Sequence, residues 1–118
     1  MNQLIFQPKK QITIKIEGEN KEFPVRRVYC IGMNYADHVI EMGNDPKKGN
    51  PVFFQKNTDN VNTSGFLPYP PETNDVHHET ELVIALKSGD YNISKTEAYN
   101  HIYGFAIGLD MTRRDLQW

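Results

Sequence analysis

The sequence lacks the features that mark several whole classes of protein. It holds one cysteine in 118 residues, Cys30, so no internal disulfide can form and the composition suits a reducing, cytoplasmic setting. Its apolar runs, such as Val28-Tyr29-Cys30-Ile31, fall far short of the ~20 residues a membrane helix needs. Residues 1–10 do not show the basic-then-apolar layout of a secretory signal. Charge of one sign is not in excess either. Thirteen Lys+Arg against fifteen Asp+Glu leave a net charge of -2, with both signs scattered. Neither nucleic acid nor a membrane is therefore an expected partner. There is no Gly-x-Ser-x-Gly elbow, no phosphate-binding Gly-rich loop and no Cys-x-x-Cys. Internal repeats and low-complexity tracts are missing too.

What is present is enough for one domain. Gln11 to Ile16 alternates apolar and polar residues and ends at Glu17-Gly18-Glu19-Asn20, which reads as a strand and a turn. Val25 to Ile31 reads as a buried strand, with Cys30 as a small core residue. From Asn34 to Gly43 the period becomes helical. Asn34 is the expected N-cap, Tyr35, Val39 and Met42 form the apolar face, and Gly43 is the stop. A polar linker over 44–50 leads to a short strand, Pro51 to Lys56, and an irregular stretch from Asn57 to Pro71. His77 to Leu86 is a second firm strand. Ser94 with Glu97 forms a capping box for a helix reaching about Ile102. Gly104 to Leu109 reads as a buried strand that delivers Asp110 at its end. The fold class is mostly β, or α+β.

Two constellations could carry chemistry. Glu79 and Glu81 share one face of a strand, and Asp110 hangs at the tip of another. Three crowded carboxylates repel one another or take up protons unless a cation joins them. All-oxygen ligation suits Mg²⁺, Mn²⁺ or Ca²⁺ better than Zn²⁺. A Glu-x-Glu pair is also what the solvated face of an edge strand looks like. A zinc variant using His77 with Glu79 and Glu81 is allowed by spacing. The second constellation is His38 with Glu41, neighbours at i, i+3 on a helix. A carboxylate beside an imidazole fixes its tautomer and suits it to act as a general base, although an exposed pair with no role has the same spacing. Arg113 or Arg114 could meet an anionic group of a substrate.

Four ordered segments resemble the fumarylacetoacetate hydrolase family. Tyr29 to His38, followed by Glu41-Met42, resembles its C-x-G-x-N-Y-x-x-H opening. Pro51 to Lys56 resembles its P-x-F-F-x-K strand, and Asp75 to Leu82 its metal strand with the E-x-E-L core. Gly108 to Gln117 resembles the segment that holds the third ligand. The resemblance implies a mixed β-roll, with Glu79, Glu81 and Asp110 binding Mg²⁺ or Mn²⁺. It implies that His38 and Glu41 lie on a small lid helix that activates water, and that Arg114 and Gln117 touch the oxo-acid end of a small 2-oxo acid. Lys56 matches a recurring lysine, read as structural.

The implied reaction is hydrolysis of a carbon–carbon bond in acylpyruvates of the fumarylpyruvate type. Oxaloacetate decarboxylation, hydration of a 2-oxo acid, or a non-catalytic interaction module are the alternatives. Members are usually homodimers. Residues 1–27 form an N-terminal strand segment and 28–118 the motif-bearing part of a single catalytic domain. That domain is longer in the family, so the chain looks like its N-terminal half. A half-roll is expected to expose strand edges and apolar surface.

Overall fold

A computed structural model describes residues 3–43, 45 and 50–117, apart from the side chain of His38. It divides into two compact units, residues 1–67 and 68–118. Each is built from antiparallel strand pairs.

The first unit begins with a small hairpin. Strand β1 (Thr13–Lys15) pairs with β2 (Glu22–Pro24) in the register Thr13↔Pro24, Ile14↔Phe23, Lys15↔Glu22. Between them Gly18 takes a φ of 75°, which a glycine adopts without strain. The expected strand from Gln11 is thus shorter. Pro24 brings no N–H to the ladder, but Val25 N donates to Ile12 O at 2.9 Å and restores the pairing. Val25 therefore packs with this hairpin and is buried, whereas it was expected to open the next strand.

That next strand, β3, runs Val28–Gly32 and pairs with β4 (Val52–Lys56). Cys30 lies opposite Phe54 and is half-buried, so it is a partly covered residue and not a deep core one. Between β3 and β4 the chain forms α1, Ala36–Glu41. The helix is shorter than the pattern over 34–43. Val39 N donates to Tyr35 O at 3.1 Å, so Tyr35, not Asn34, takes the first helical bond. Gly43, with φ 77°, stops it as expected, its N–H reaching Ile40 O at 2.8 Å. Six residues do not sustain a helix alone; the buried side chain of Val39 anchors this one. Of the linker over 44–50, only Asp45 and Asn50 lie among the described residues.

The second unit is dominated by one long ribbon. Strand β5 (Val76–Leu86) pairs antiparallel with β6 (Ile102–Arg113), from Val76↔Arg113 through Glu79↔Asp110 to Leu86↔Ile102, with an irregularity at Ala85/Leu86. In the connection, Ser94 Oγ accepts from Glu97 N at 3.2 Å and caps α2, Lys95–Ala98. The Glu97 carboxylate accepts from Asn100 Nδ2 at 2.8 Å. The helix was expected to reach Ile102 but tightens into a 3-10 turn, Tyr99–His101. No residue of either piece is buried, so no packed face prolongs it.

Two expectations about β6 are corrected. Asp110 lies inside the strand, three residues before its end. The run Gly104 to Leu109 is not buried: Phe105, Ile107 and Leu109 are exposed. A strand is buried only when a second layer covers its face, and hydrogen bonds from β5 do not supply one. Among the described residues the buried hydrophobics are Val25 and Val39, both in the first unit. The expected exposure of apolar strand surface is what the chain displays.

Candidate active site

Alternation on β5 sends Glu79 and Glu81 to one face, and the register sets Asp110 directly opposite Glu79 and Gly108 opposite Glu81. Directly opposed residues of an antiparallel pair point to the same side. The three acids therefore share one face of one ribbon. Like charges facing each other across strands destabilise the pairing, so the Glu79–Asp110 juxtaposition calls for a cation.

One cation is supplied by the chain. Arg114 Nη2 forms an ion pair with Glu79 Oε1, both side chains being largely covered. Arg114 Nη1 also donates to Gln117 Oε1 at 2.6 Å. The two residues expected at the oxo-acid end thus touch each other and join the carboxylate face. Arg113 turns elsewhere, donating to Pro71 O at 3.3 Å. Glu81 is half-buried, and among the described residues its carboxylate makes no hydrogen bond or ion pair.

Gly108 keeps this face open. A Cβ there would stand 2.8 Å from Val83 Cγ2, so the floor between Glu81 and Asp110 tolerates only hydrogen. With Arg114 turned onto Glu79, no group of three or more His, Cys, Asp or Glu among the described residues is drawn close enough to hold a metal ion. The donor set nevertheless fits a hard dication: three carboxylates on one face, all oxygen. His77, the extra ligand of the zinc variant, pairs with Asp75 through Nε2 to Oδ1 at 2.9 Å.

A residue that sequence reasoning passed over holds the arginine in place. The turn Arg114–Leu116 is pinned by Arg114 N donating to Asp75 O at 2.8 Å. Its Asp115 carboxylate accepts from the Thr73 hydroxyl and from Asn74 N at 3.0 Å. These bonds, the Thr73 hydroxyl first, hold the Asp115 carboxyl below its ordinary 3.8. The Thr73-Asn74-Asp75 run just before a strand was the available signal, since such residues bond nearby backbone and side chains.

The sign of the linkage follows from that lowered value. Asp115 contributes its stabilisation above the unfolded value, and loses it as pH falls through the folded one. The Asp115 carboxyl carbon is expected to titrate below 3.8 by NMR, and to move back towards that value in Thr73→Val. Titration at or above 3.8 in the unaltered chain would contradict the clamp.

His38 and Glu41 both fall on α1, in the first unit. The His38 side chain lies outside the described residues, and Glu41 is exposed. Lys56 is half-buried at the end of β4, opposite Val28.

The chain is similar to proteins already known. Residues 27–118 match the family described as fumarylacetoacetate (FAA) hydrolase C-terminal. A crystal structure of fumarylpyruvate hydrolase from Pseudomonas aeruginosa, in complex with Mn²⁺ and pyruvate, superposes with a TM-score of 0.92 at 45% identity. That match covers 98% of this chain and 52% of the other. A mitochondrial oxaloacetate tautomerase of Caenorhabditis elegans is 38% identical over 93 residues, 77% of this chain and 42% of that protein. A fumarylpyruvate hydrolase of a Ralstonia species is 46% identical over 66 residues, 55% of this chain and 34% of that protein. The chain spans less than half the length of these curated relatives. Its strand-rich fold, its ordered motifs and this match over 27–118 place it in the fumarylacetoacetate hydrolase family.

Proposed function

We propose that the chain carries the metal-binding and substrate-carboxylate-binding part of an enzyme that hydrolyses a carbon–carbon bond in acylpyruvates. The observation that carries this reading is the shared face of Glu79, Glu81 and Asp110, with Arg114 and Gln117 beside it. Glu79, Glu81 and Asp110 would hold Mg²⁺ or Mn²⁺, for which their hard oxygens are suited. Such an ion, when bound, acts as a Lewis acid on a keto oxygen.

The chain's own residues do the rest. Arg114 presents a planar fork that matches a carboxylate of a 2-oxo acid in a bidentate contact. Gln117 bonds that fork and limits its orientations. Were an ion held by Glu79, the Arg114 guanidinium, now paired with that carboxylate, would be available to the substrate. The role of proton acceptor falls to His38, with Glu41 one helical turn on to hold the imidazole. A water gives its proton to His38, and its oxygen attacks the distal carbonyl of the 2,4-dioxo acid. The carbon–carbon bond breaks, and its electron pair passes to the pyruvyl fragment as an enolate that takes up a proton at carbon.

A second reading is favoured by the oxaloacetate tautomerase and decarboxylase names among the relatives. Enolisation and decarboxylation of oxaloacetate use the same enolate chemistry without an attacking water. Acylpyruvates and oxaloacetate assayed side by side with Mn²⁺ separate the two. The assay uses the chain alone and with the sequence that completes the relatives' length supplied in trans. Acylpyruvate cleavage is expected, with His38→Asn slowing it about 10²–10⁴-fold at unchanged Mn²⁺ affinity. Turnover of oxaloacetate alone, indifferent to His38, would select the second reading.

A further inference from the structure

Arg114 already has partners for both ends of its fork. Nη2 is paired with Glu79 Oε1, and Nη1 donates to Gln117 Oε1 at 2.6 Å. The Arg114 and Glu79 side chains are 20% and 26% exposed, so water and salt screen this pair less than one on the open surface. Glu79 also stands directly across from Asp110, and the guanidinium offsets the repulsion between those two acids. A dication held by the three carboxylates would relieve the same repulsion. Glu79 therefore has two cations open to it, one of them part of the chain.

Exchange between them needs only a side chain to turn, because the backbone beneath it is held. Arg114 N donates to Asp75 O at 2.8 Å, and the Asp115 carboxylate accepts from the Thr73 hydroxyl and from Asn74 N. The turn Arg114–Leu116 is thus tied to the residues that lead into β5, the strand of Glu79. Rotation about the bonds of the long arginine side chain suffices to carry the guanidinium away from Glu79. The fork serves Glu79 or a substrate carboxylate, not both. Its donors lie in one plane, so a 2-oxo acid held there would set its carboxylate beside that of Glu79, like charge against like.

We propose that Arg114 is a latch through which a hard dication and a 2-oxo acid assist each other's binding. Closed on Glu79, the guanidinium competes with the dication for that carboxylate and is itself withheld from the substrate. Arg114 drawn off by a substrate carboxylate leaves Glu79 to the dication, and Glu79 engaged by a dication leaves Arg114 to the substrate. Thermodynamic linkage makes the two effects equal in size. The latch rests on reading the three carboxylates as a metal site, and adds to that reading a dependence of each ligand on the other. A 2-oxo acid that touches the dication would strengthen binding by that route too, so the decisive measurements take each ligand alone.

Two titrations of the whole chain, neither of which reads turnover, test it. In the first, Mn²⁺ alone is added and followed by calorimetry. Arg114→Met should bind it roughly tenfold more tightly or better, since the competing charge-assisted hydrogen bond is gone. Arg113→Met removes the same charge from a side chain turned to Pro71 O, and should change the affinity little. In the second, pyruvate is added to the metal-free chain and followed by NMR. Glu79→Met should raise its affinity about 5–150-fold, the usual range of such couplings. Glu81→Met removes the same charge from the same face without freeing an arginine, and should do much less. A third measurement needs no variant: exchange of the Arg114 guanidinium protons with water should quicken when Mg²⁺ is added. Equal Mn²⁺ affinities in the two arginine variants, pyruvate bound no better by Glu79→Met than by Glu81→Met, or guanidinium exchange indifferent to Mg²⁺ would each overturn the latch while leaving the metal assignment in place. No Mn²⁺ binding by any of these chains would overturn the metal assignment and the latch together.

Discussion

Glu81→Ala is expected to remove Mn²⁺ binding from calorimetric titrations, while the unaltered chain shows one site. Loss of an outer contact around a metal already costs about 10–100-fold in affinity, so loss of a direct ligand should exceed that range. Glu81 is the informative position because its carboxylate is half-buried and makes no partner among the described residues. Removing Glu79 would also leave Arg114 without its ion pair, and two effects would be mixed. Truncation at 81 removes one of three like charges from a crowded face, so the fold should not suffer. Circular dichroism checks that. An unchanged stoichiometry and enthalpy in Glu81→Ala would remove the metal assignment and the reaction built on it.

The second large effect concerns a hydrogen atom. Gly→Ala at a position with ordinary backbone angles usually stabilises a protein, by about 0.4–1 kcal/mol, because the unfolded chain loses freedom. At Gly108 the sign should reverse. The new Cβ would lie 2.8 Å from Val83 Cγ2, and a β-branched side chain has little freedom to move aside. Overpacking of this kind costs about 1–3 kcal/mol, which outweighs the entropic gain. Because Gly108 faces Glu81 and precedes Asp110 by two, relief of the clash must shift the strands that carry both acids. Mn²⁺ affinity should fall together with the denaturation midpoint. Gly104 is the control, since a Cβ there meets nothing within 4 Å. Gly104→Ala should raise the midpoint or leave it level. Equal responses at the two glycines would show that the floor of the face is not constrained.

The face on which these acids stand was only partly legible in the sequence. Alternation within Val76–Leu86 was readable because a strand has a period of two, and it placed Glu79 with Glu81 from local information alone. The short helix at α1 and its glycine stop were readable for the same reason, as was the Ser94 cap. The boundaries were not. Val25 joins the first hairpin because it bonds Ile12, thirteen positions back, and no window along the chain contains that bond. Gly104 to Leu109 read as buried because it is apolar. Burial, however, depends on what lies over a strand, which its composition does not state. By spacing alone Arg113 and Arg114 were equivalent, and only the family resemblance singled out Arg114. They part because successive residues leave the end of a strand in different directions, one towards Glu79 and the other towards Pro71.

The sequence by itself determined the donor chemistry: which residues are carboxylates, which cations and amides stand near them, and the ordered motifs that mark the family. The tertiary structure alone decided that Asp110 lies across from Glu79 instead of one position away. A slip of a single residue in the β5–β6 register would send Asp110 to the apolar face. That register is a property of two segments about thirty residues apart in the chain, fixed by the whole ladder of cross-strand pairs, and no local pattern encodes it.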